Sequence, residues 1–404
     1  MKVSCAIAGG GPAGMMLGFL LARAGISVVV LEKHRDFLRD FRGDTIHPAT
    51  LQLMYELGLL DDFLKRPHQE VTRLAAVIGP HVMPLGDFTH VPTHCKFLAL
   101  MPQWDFLDFL VQHAKRYAPF NLMMQANVTG LKWSGDRVDG VLVSTPEGDI
   151  TIEADLIIGA DGRHSTVRPS AGLKSVARGT PIDVLWMRIS RKESDPRQAF
   201  GFVGRASLLV LIDRDTYWQC GYVIPKGAFE GIRSRGLPAF QHDLAAAAPF
   251  LADRTGELDT WADVSLLTVQ IDMLERWHRD GLLCIGDAAH AMSPVGGVGI
   301  NLAIQDAVAT ANIVFDELAR GRVREETLAA VERRRTFPTR VIQNIQVFVQ
   351  DRVITRVLRG TDGADPKVPF ALKLFSRVPL LQRIPAWLVG VGVRPEHVGT
   401  PEVP

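Results

Sequence analysis

The chain has 404 residues, 47% of them apolar and 22% charged, which suits an ordinary globular enzyme of about two domains. Its 45 basic and 44 acidic groups give a formal charge of +1, no electrostatic footing for nucleic acid or an anionic membrane. Cys5, Cys95, Cys220 and Cys284 lack CxxC or metal-ligand spacing, pointing to reduced thiols, no metal site and a cytoplasmic protein.

The N-terminus reaches glycine by residue 9 without a basic stretch and a long apolar one, so no secretory signal is expected. Residues 2–8 read as a strand, 12–24 as a helix and 27–31 as a second β-branched strand, a βαβ unit with a buried parallel sheet. Gly14 and Gly18 have the spacing of packed membrane helices, but Arg23 and Gly25 split the apolar run and no transmembrane segment is expected.

Residues 48–65 carry a helical stripe (Leu51, Met54, Tyr55) stopped at Gly58, 70–100 turn to short strands, and 103–117 carry a second stripe (Phe106, Leu107, Phe109, Leu110). Strands at 130–142 and 149–158 flank a turn at 146–149. From 178 to 270 runs such as Ile182–Ile189, Phe200–Val203, Leu208–Ile212, Tyr217–Ile224 and Val264–Val269 predict a mostly antiparallel β-layer. After Asn301 the pattern is helical to about 360, broken at Pro338, and a Pro/Gly-rich tail from 361 is expected to wrap the surface.

Three glycine motifs stand at strand ends. Gly9, Gly11 and Gly14, with Pro12 and Ala13, fit GxGxxG between a strand and a helix, and Glu32 ends the next strand. Glycines there let backbone approach a pyrophosphate at a helix N-terminus, and Glu32 can accept from ribose hydroxyls; this reads as dinucleotide binding without separating NAD from FAD. The second motif is Gly159-Ala160-Asp161-Gly162, which alone could be an Asx turn. The third runs from Gly286-Asp287-Ala288-Ala289-His290 through Pro294, Gly296, Gly297 and Gly299 into a helix with Ile300 and Asn301 in its first turn, where free N–H groups favour negative charge.

In this order the motifs closely resemble those of the single-component, FAD-dependent aromatic hydroxylases of the p-hydroxybenzoate hydroxylase type, over roughly residues 1–360. The resemblance implies an α/β fold: a Rossmann-like FAD-binding domain (1–72, 96–177, 271–361), an antiparallel substrate domain (73–95, 178–270) and a tail (362–404). It implies FAD held by the first glycine turn with Glu32 and Lys33, and by Asp161, Gly286, Asp287, Gly297, Gly299, Ile300 and Asn301. Arg42, in Arg42-Gly43-Asp44-Thr45-Ile46-His47, resembles an arginine on the loop that closes over flavin, although a surface salt bridge would also explain it. Gln103 resembles a glutamine on the ribityl chain.

The implied reaction uses NADH or NADPH and O2, forms a flavin C4a-hydroperoxide and hydroxylates an aromatic or polyketide-like molecule. Pro294, Gly299 and Asn301 would shape and polarise the reacting side of the flavin. His47 is a further catalytic candidate, with a helix-start hydrogen bond as the simpler reading, and His290 is expected to position the loop. In the β-layer, Trp186, Phe202 and Tyr222 are the substrate candidates, although such residues equally suit a sheet core.

A double-bond reductase of the same lineage that works without oxygen is the competing enzyme reading. A flavin-dependent halogenase is disfavoured because Trp-x-Trp-x-Ile-Pro is absent. A non-enzymatic or membrane-associated flavin binder has only the apolar stripe after Pro338 and Leu380–Gly392 in its favour. The chain is expected to be a monomer or homodimer.

Overall fold

The computed structural model describes residues 1–38, 45–196, 201–360, 368 and 370–403; Arg42 and Phe200 lie outside these described residues. Uniformly apolar, β-branched strands need cover on both faces. Here they form the heart of an eight-stranded sheet ordered His278–Arg279, Leu282–Cys284, Gly148–Gly159, Lys2–Ala8, Val28–Glu32 and Phe120–Met124. The last five run parallel, and Arg137–Thr145 with Asn127–Ser134 extends Gly148–Gly159 as an antiparallel hairpin.

Helix Pro12–Arg23 covers this sheet, with every residue from Ala13 to Ala22 buried. A Cβ on Gly18 would stand 2.6 Å from Val30 Cγ2, so the small-residue spacing serves helix-on-sheet packing rather than a membrane partner. Among the described residues one helical stretch, Val295–Ala319, is long and apolar enough to cross a membrane, and it is mostly buried inside the fold. The four cysteines are buried and unbridged.

A seven-stranded sheet runs Ser265–Leu267, Ile182–Ser190, Tyr217–Pro225, Ser207–Asp213, Gly201–Gly204, Arg73–Ile78, His81–Asp87. All neighbours are antiparallel except Gly201–Gly204 with Arg73–Ile78. Period-2 alternation gives it two apolar faces. Leu185, Met187, Cys220, Tyr222, Leu209 and Phe202 pack with Phe240 and Leu244 of helix Leu237–Ala247, while Val184, Trp186, Val223 and Leu208 face the other way, toward Val295 and Ile354. Helices Leu237–Ala247 and Phe229–Ser234 interrupt the strands of 178–270 and are not among the elements expected there.

One other expectation is corrected. Pro338 does not break the helix: Glu325–Val349 is continuous, and the interruption falls at 320–324. Proline costs about 3 kcal/mol inside a helix, which the burial of Leu328, Val331 and Ile342 on the same helix offsets. The tail lies largely at the surface, as the helices Phe370–Arg377 and Pro379–Gly390. Pro379 stands in the first turn, where its missing N–H is not needed, and Ala386 and Val391 join a core with Phe88, Val91 and Leu98.

The antiparallel sheet is tied by a buried ion pair. Arg254 meets Asp195 through two N–H bonds of 2.8 and 2.9 Å, and Trp218 Nε1 donates to the same carboxylate at 2.7 Å. Burial alone would raise the Asp195 pKa, but Arg254, the Lys192 N–H and Trp218 hold it at about 2. Its stabilisation is therefore present above the ordinary value of 3.8 and fades as pH falls toward 2. Asp195→Ala strands Arg254 without its carboxylate and is expected to cost about 3–5 kcal/mol. Urea unfolding at pH 7 checks this, and the difference from wild type should shrink toward pH 2.

Candidate active site

The parallel register decides where the motifs meet. Ala8 pairs with both Leu31 and Gly159, and Gly159 with Cys284, so three strands end level and their following turns share one edge of the sheet. The carboxyl edge of a parallel sheet is where α/β folds bind ligands. The turns are in direct contact: a Cβ on Gly9 (φ +106°) would lie 2.3 Å from Ala160 O, and one on Gly286 (φ +59°) would lie 3.3 Å from both Ala13 and Ala303 Cβ.

Gly11 is the N-cap of Pro12–Arg23 and supplies no side-chain cap, and nothing stands within 4 Å of where its Cβ would be. The helix thus opens its first N–H groups onto free space, as a pyrophosphate requires. Glu32 is buried, accepting from Gly10 N–H at 3.0 Å and His34 N–H at 3.1 Å; Lys33 is exposed. Asp161 Oδ2 accepts from Thr166 and Val167 N–H at 2.7 and 3.1 Å, while its Oδ1 is buried with no hydrogen-bond partner among the described residues. An open helix start, a buried carboxylate at the end of the next strand and an unsatisfied carboxylate oxygen fit an FAD.

Asp287 follows in the turn Gly286–Ala288, half-exposed, with Arg163 Nη2 at 3.4 Å from its Oδ2. Arg163 went unnoticed in the sequence because it lies 124 residues away and no spacing rule links the two. Gln103 is half-buried as the first residue of helix Gln103–Ala114.

The loop from Met292 to Val298 is held by a glutamine ladder that sequence reasoning also missed. Gln346 Nε2 donates to Ser293 O and Val295 O, both at 2.9 Å, and its Oε1 accepts from Ser293 N–H at 3.2 Å. Gln343 donates to Asp272 O and Ala291 O at 2.9 and 3.0 Å, and Gln350 donates to Ser293 Oγ. Spacing of three, then four along one helix puts the three amides on one stripe, the only signal that could have found them.

Pro294 is half-buried at the start of the turn Val295–Gly297, in which Gly296 and Gly297 have φ of +81° and +64°. Helix Gly299–Ala319 begins without a side-chain cap, leaving the N–H groups of Gly299, Ile300 and Asn301 as donors. Asn301 is buried and its Oδ1 accepts from Thr50 Oγ1 at 2.9 Å, which orients the amide and leaves its NH2 as the side-chain donor.

His47 is fully buried with Nδ1 2.6 Å from Val389 O and Nε2 2.9 Å from Gly297 O. Burial lowers its pKa against the pull of the two carbonyls. Both nitrogens are engaged by backbone, so His47 is a strut between the loop and helix Pro379–Gly390 rather than an acid or base. His290 is likewise structural: its Nε2 lies 2.5 Å from Asp306 Oδ2 and its ring packs on Trp277.

Of the three substrate candidates, Trp186 alone shares a cluster with a residue of this loop, Val295. Its ring lies over Gly221, where a Cβ would come within 3.0 Å. Phe202 and Tyr222 are corrected to core positions beneath helix Leu237–Ala247, on the opposite face. Burial pushes the Tyr222 hydroxyl up to about 12, so it is no acid or base at neutral pH. The alternation showed that the two faces differ; only the packing shows which face meets the loop.

The model of the FAD binding domain family matches residues 2–345. The chain is 33% identical over 380 residues to 6-methylpretetramide 4-monooxygenase of Streptomyces rimosus, covering 94% of this chain and 90% of that one. Among solved structures, OxyS anhydrotetracycline hydroxylase from Streptomyces rimosus aligns with a TM-score of 0.74 at 24% identity, covering 98% of this chain and 77% of that one. The p-nitrophenol 4-monooxygenase PnpA from Pseudomonas putida aligns with a TM-score of 0.77 at 20% identity, covering 96% and 97%.

Gln346→Leu keeps the volume and strips three loop groups of their partner, each left at a cost of about 1–3 kcal/mol. The variant is expected to lose thermal stability and to release FAD more readily, measured by melting temperature and by flavin retained on gel filtration.

Proposed function

The chain belongs to the FAD binding domain family and is an FAD-dependent monooxygenase; on that footing we propose that it hydroxylates a fused-ring aromatic polyketide. The observation that carries the site reading is the level ending of three parallel strands, which gathers Gly9–Gly14, Asp161 and Gly286–Asp287 at one edge. The substrate class follows from the relative that acts on 6-methylpretetramide, matched over nearly its whole length.

FAD lies along this edge. The open helix start after Gly11 takes the pyrophosphate, Glu32 the adenosine ribose, and Asp287 with Gln103 the ribityl chain. By family resemblance Arg42 closes over the flavin. When bound and reduced by NADH or NADPH, FAD activates O2 for transfer of one oxygen atom to an electron-rich ring.

The protein's part is placement. The uncapped N-terminus of Gly299–Ala319 and the Asn301 amide favour negative charge on the reduced ring, by up to ~2 kcal/mol for a partly buried terminus. Pro294 forms a rigid wall beside the reacting face. The sheet face that carries Trp186, Leu208 and Val223 covers the loop and keeps water from the reacting atoms. This supports a division in which strands 73–87 and the segment 178–270 make the substrate domain.

Incubation with an aromatic polyketide, NAD(P)H and 18O2 is expected to place one 18O in the product for each nucleotide oxidised. A reduced product free of 18O would instead identify the oxygen-independent reductase. Trp186→Ala is expected to raise KM roughly tenfold or more while leaving the bound-flavin spectrum unchanged.

A further inference from the structure

The last dozen residues reach the cofactor turn through a chain of buried charges. Asp306, in the middle of helix Gly299–Ala319, is fully buried, and its Oδ2 accepts from Gly286 N–H at 3.0 Å and lies 2.5 Å from His290 Nε2. Its Oδ1 accepts from Arg335 Nε at 2.8 Å. Arg335, 1% exposed on helix Glu325–Val349, turns its Nη1 to Glu396 Oε1 and Arg394 O, both at 3.3 Å. Glu396, itself 3% exposed, accepts from Arg334 Nε at 2.8–2.9 Å, and its own N–H donates to Gln305 Oε1, one residue before Asp306.

Burial would raise the Asp306 pKa, yet His290 and Arg335 hold it below the usual carboxylate range, so it stays ionised. A second contact runs in parallel, since His47 bridges Val389 O to Gly297 O. The segment from Val389 to Glu396 is therefore linked to both ends of the stretch Gly286–Gly297, through Arg335 and Asp306 at one end and through His47 at the other.

We propose that the C-terminal segment is part of the cofactor site: Glu396 and Arg335 are positioning residues that fix Asp306, and through it the Gly286–Asp287 turn on which FAD rests. This rests on the reading that Gly286–Asp287 holds FAD. A buried ion pair adds little net stability because desolvation offsets its attraction, but its directional bonds fix geometry. Gly286 has no side chain with which to anchor itself, and its N–H depends on Asp306.

The test is FAD titration of apoprotein, followed by visible circular dichroism of bound flavin, for wild type, Glu396→Gln, Asp306→Asn and the double variant, each with its apoprotein melting temperature. Glu396→Gln is expected to weaken FAD several-fold and to alter the flavin dichroism although residue 396 does not touch the turn. Asp306→Asn should weaken it at least tenfold, and the double variant should fall short of the product of the two, because Glu396 acts on the turn through Arg335 and Asp306.

Wild-type FAD affinity and dichroism in Glu396→Gln, whatever its melting temperature, overturns the proposal, as do effects that multiply independently. Should Asp306→Asn not fold, Glu396→Gln decides alone. Wild-type protein that binds no FAD defeats the cofactor reading instead, a result distinct from either.

Discussion

Backbone meets backbone at the carboxyl edge of the parallel sheet, and the rest of the site depends on that approach. Gly9 sits against the carbonyl of Ala160, and Gly14 against that of Gly9, where a Cβ would fall 2.0 Å away. Gly286 in turn fits between Ala13 and Ala303, so the first turn, the second and the third are packed as one body. Side chains at these positions would separate the strand ends and spread the groups that FAD must meet together.

The loop downstream is held by two different kinds of interaction. Around Ala291–Val295 the partners are neutral amides: Gln343 bonds Ala291 O, Gln346 the backbone of Ser293 and Val295, and Gln350 the Ser293 hydroxyl, all without introducing charge. Around Gly286 the partner is a carboxylate, balanced by Arg335. The loop is thus held by neutral groups and the Gly286 turn by an ionised one. Gln343, Gln346 and Arg335 all project from helix Glu325–Val349, which is continuous through Pro338.

Much of the site was legible in advance because glycine motifs and strand ends are local. The strand–turn–helix at Gly9–Gly14 and the strand end at Gly286–Asp287 follow from short windows of sequence. The glutamine ladder, Arg163 and the Asp306–Arg335–Glu396 chain were not legible, because their partners lie tens to more than a hundred residues apart. The helices of the tail were not legible either: Pro379 stands in a helix's first turn and Pro385 within the same helix.

The sequence by itself determined the parallel βαβ start, the glycine turns with Glu32, and the presence of a second β-layer, because each rests on periodicity or on backbone freedom within a few residues. Only the tertiary structure decided that Trp186 rather than Phe202 or Tyr222 faces the loop, that His47 spans the carbonyls of Val389 and Gly297, and that Glu396 reaches Asp306 through Arg335. Alternation along a strand distinguishes two faces without ranking them, and a buried charge reveals its purpose only through the partner that balances it.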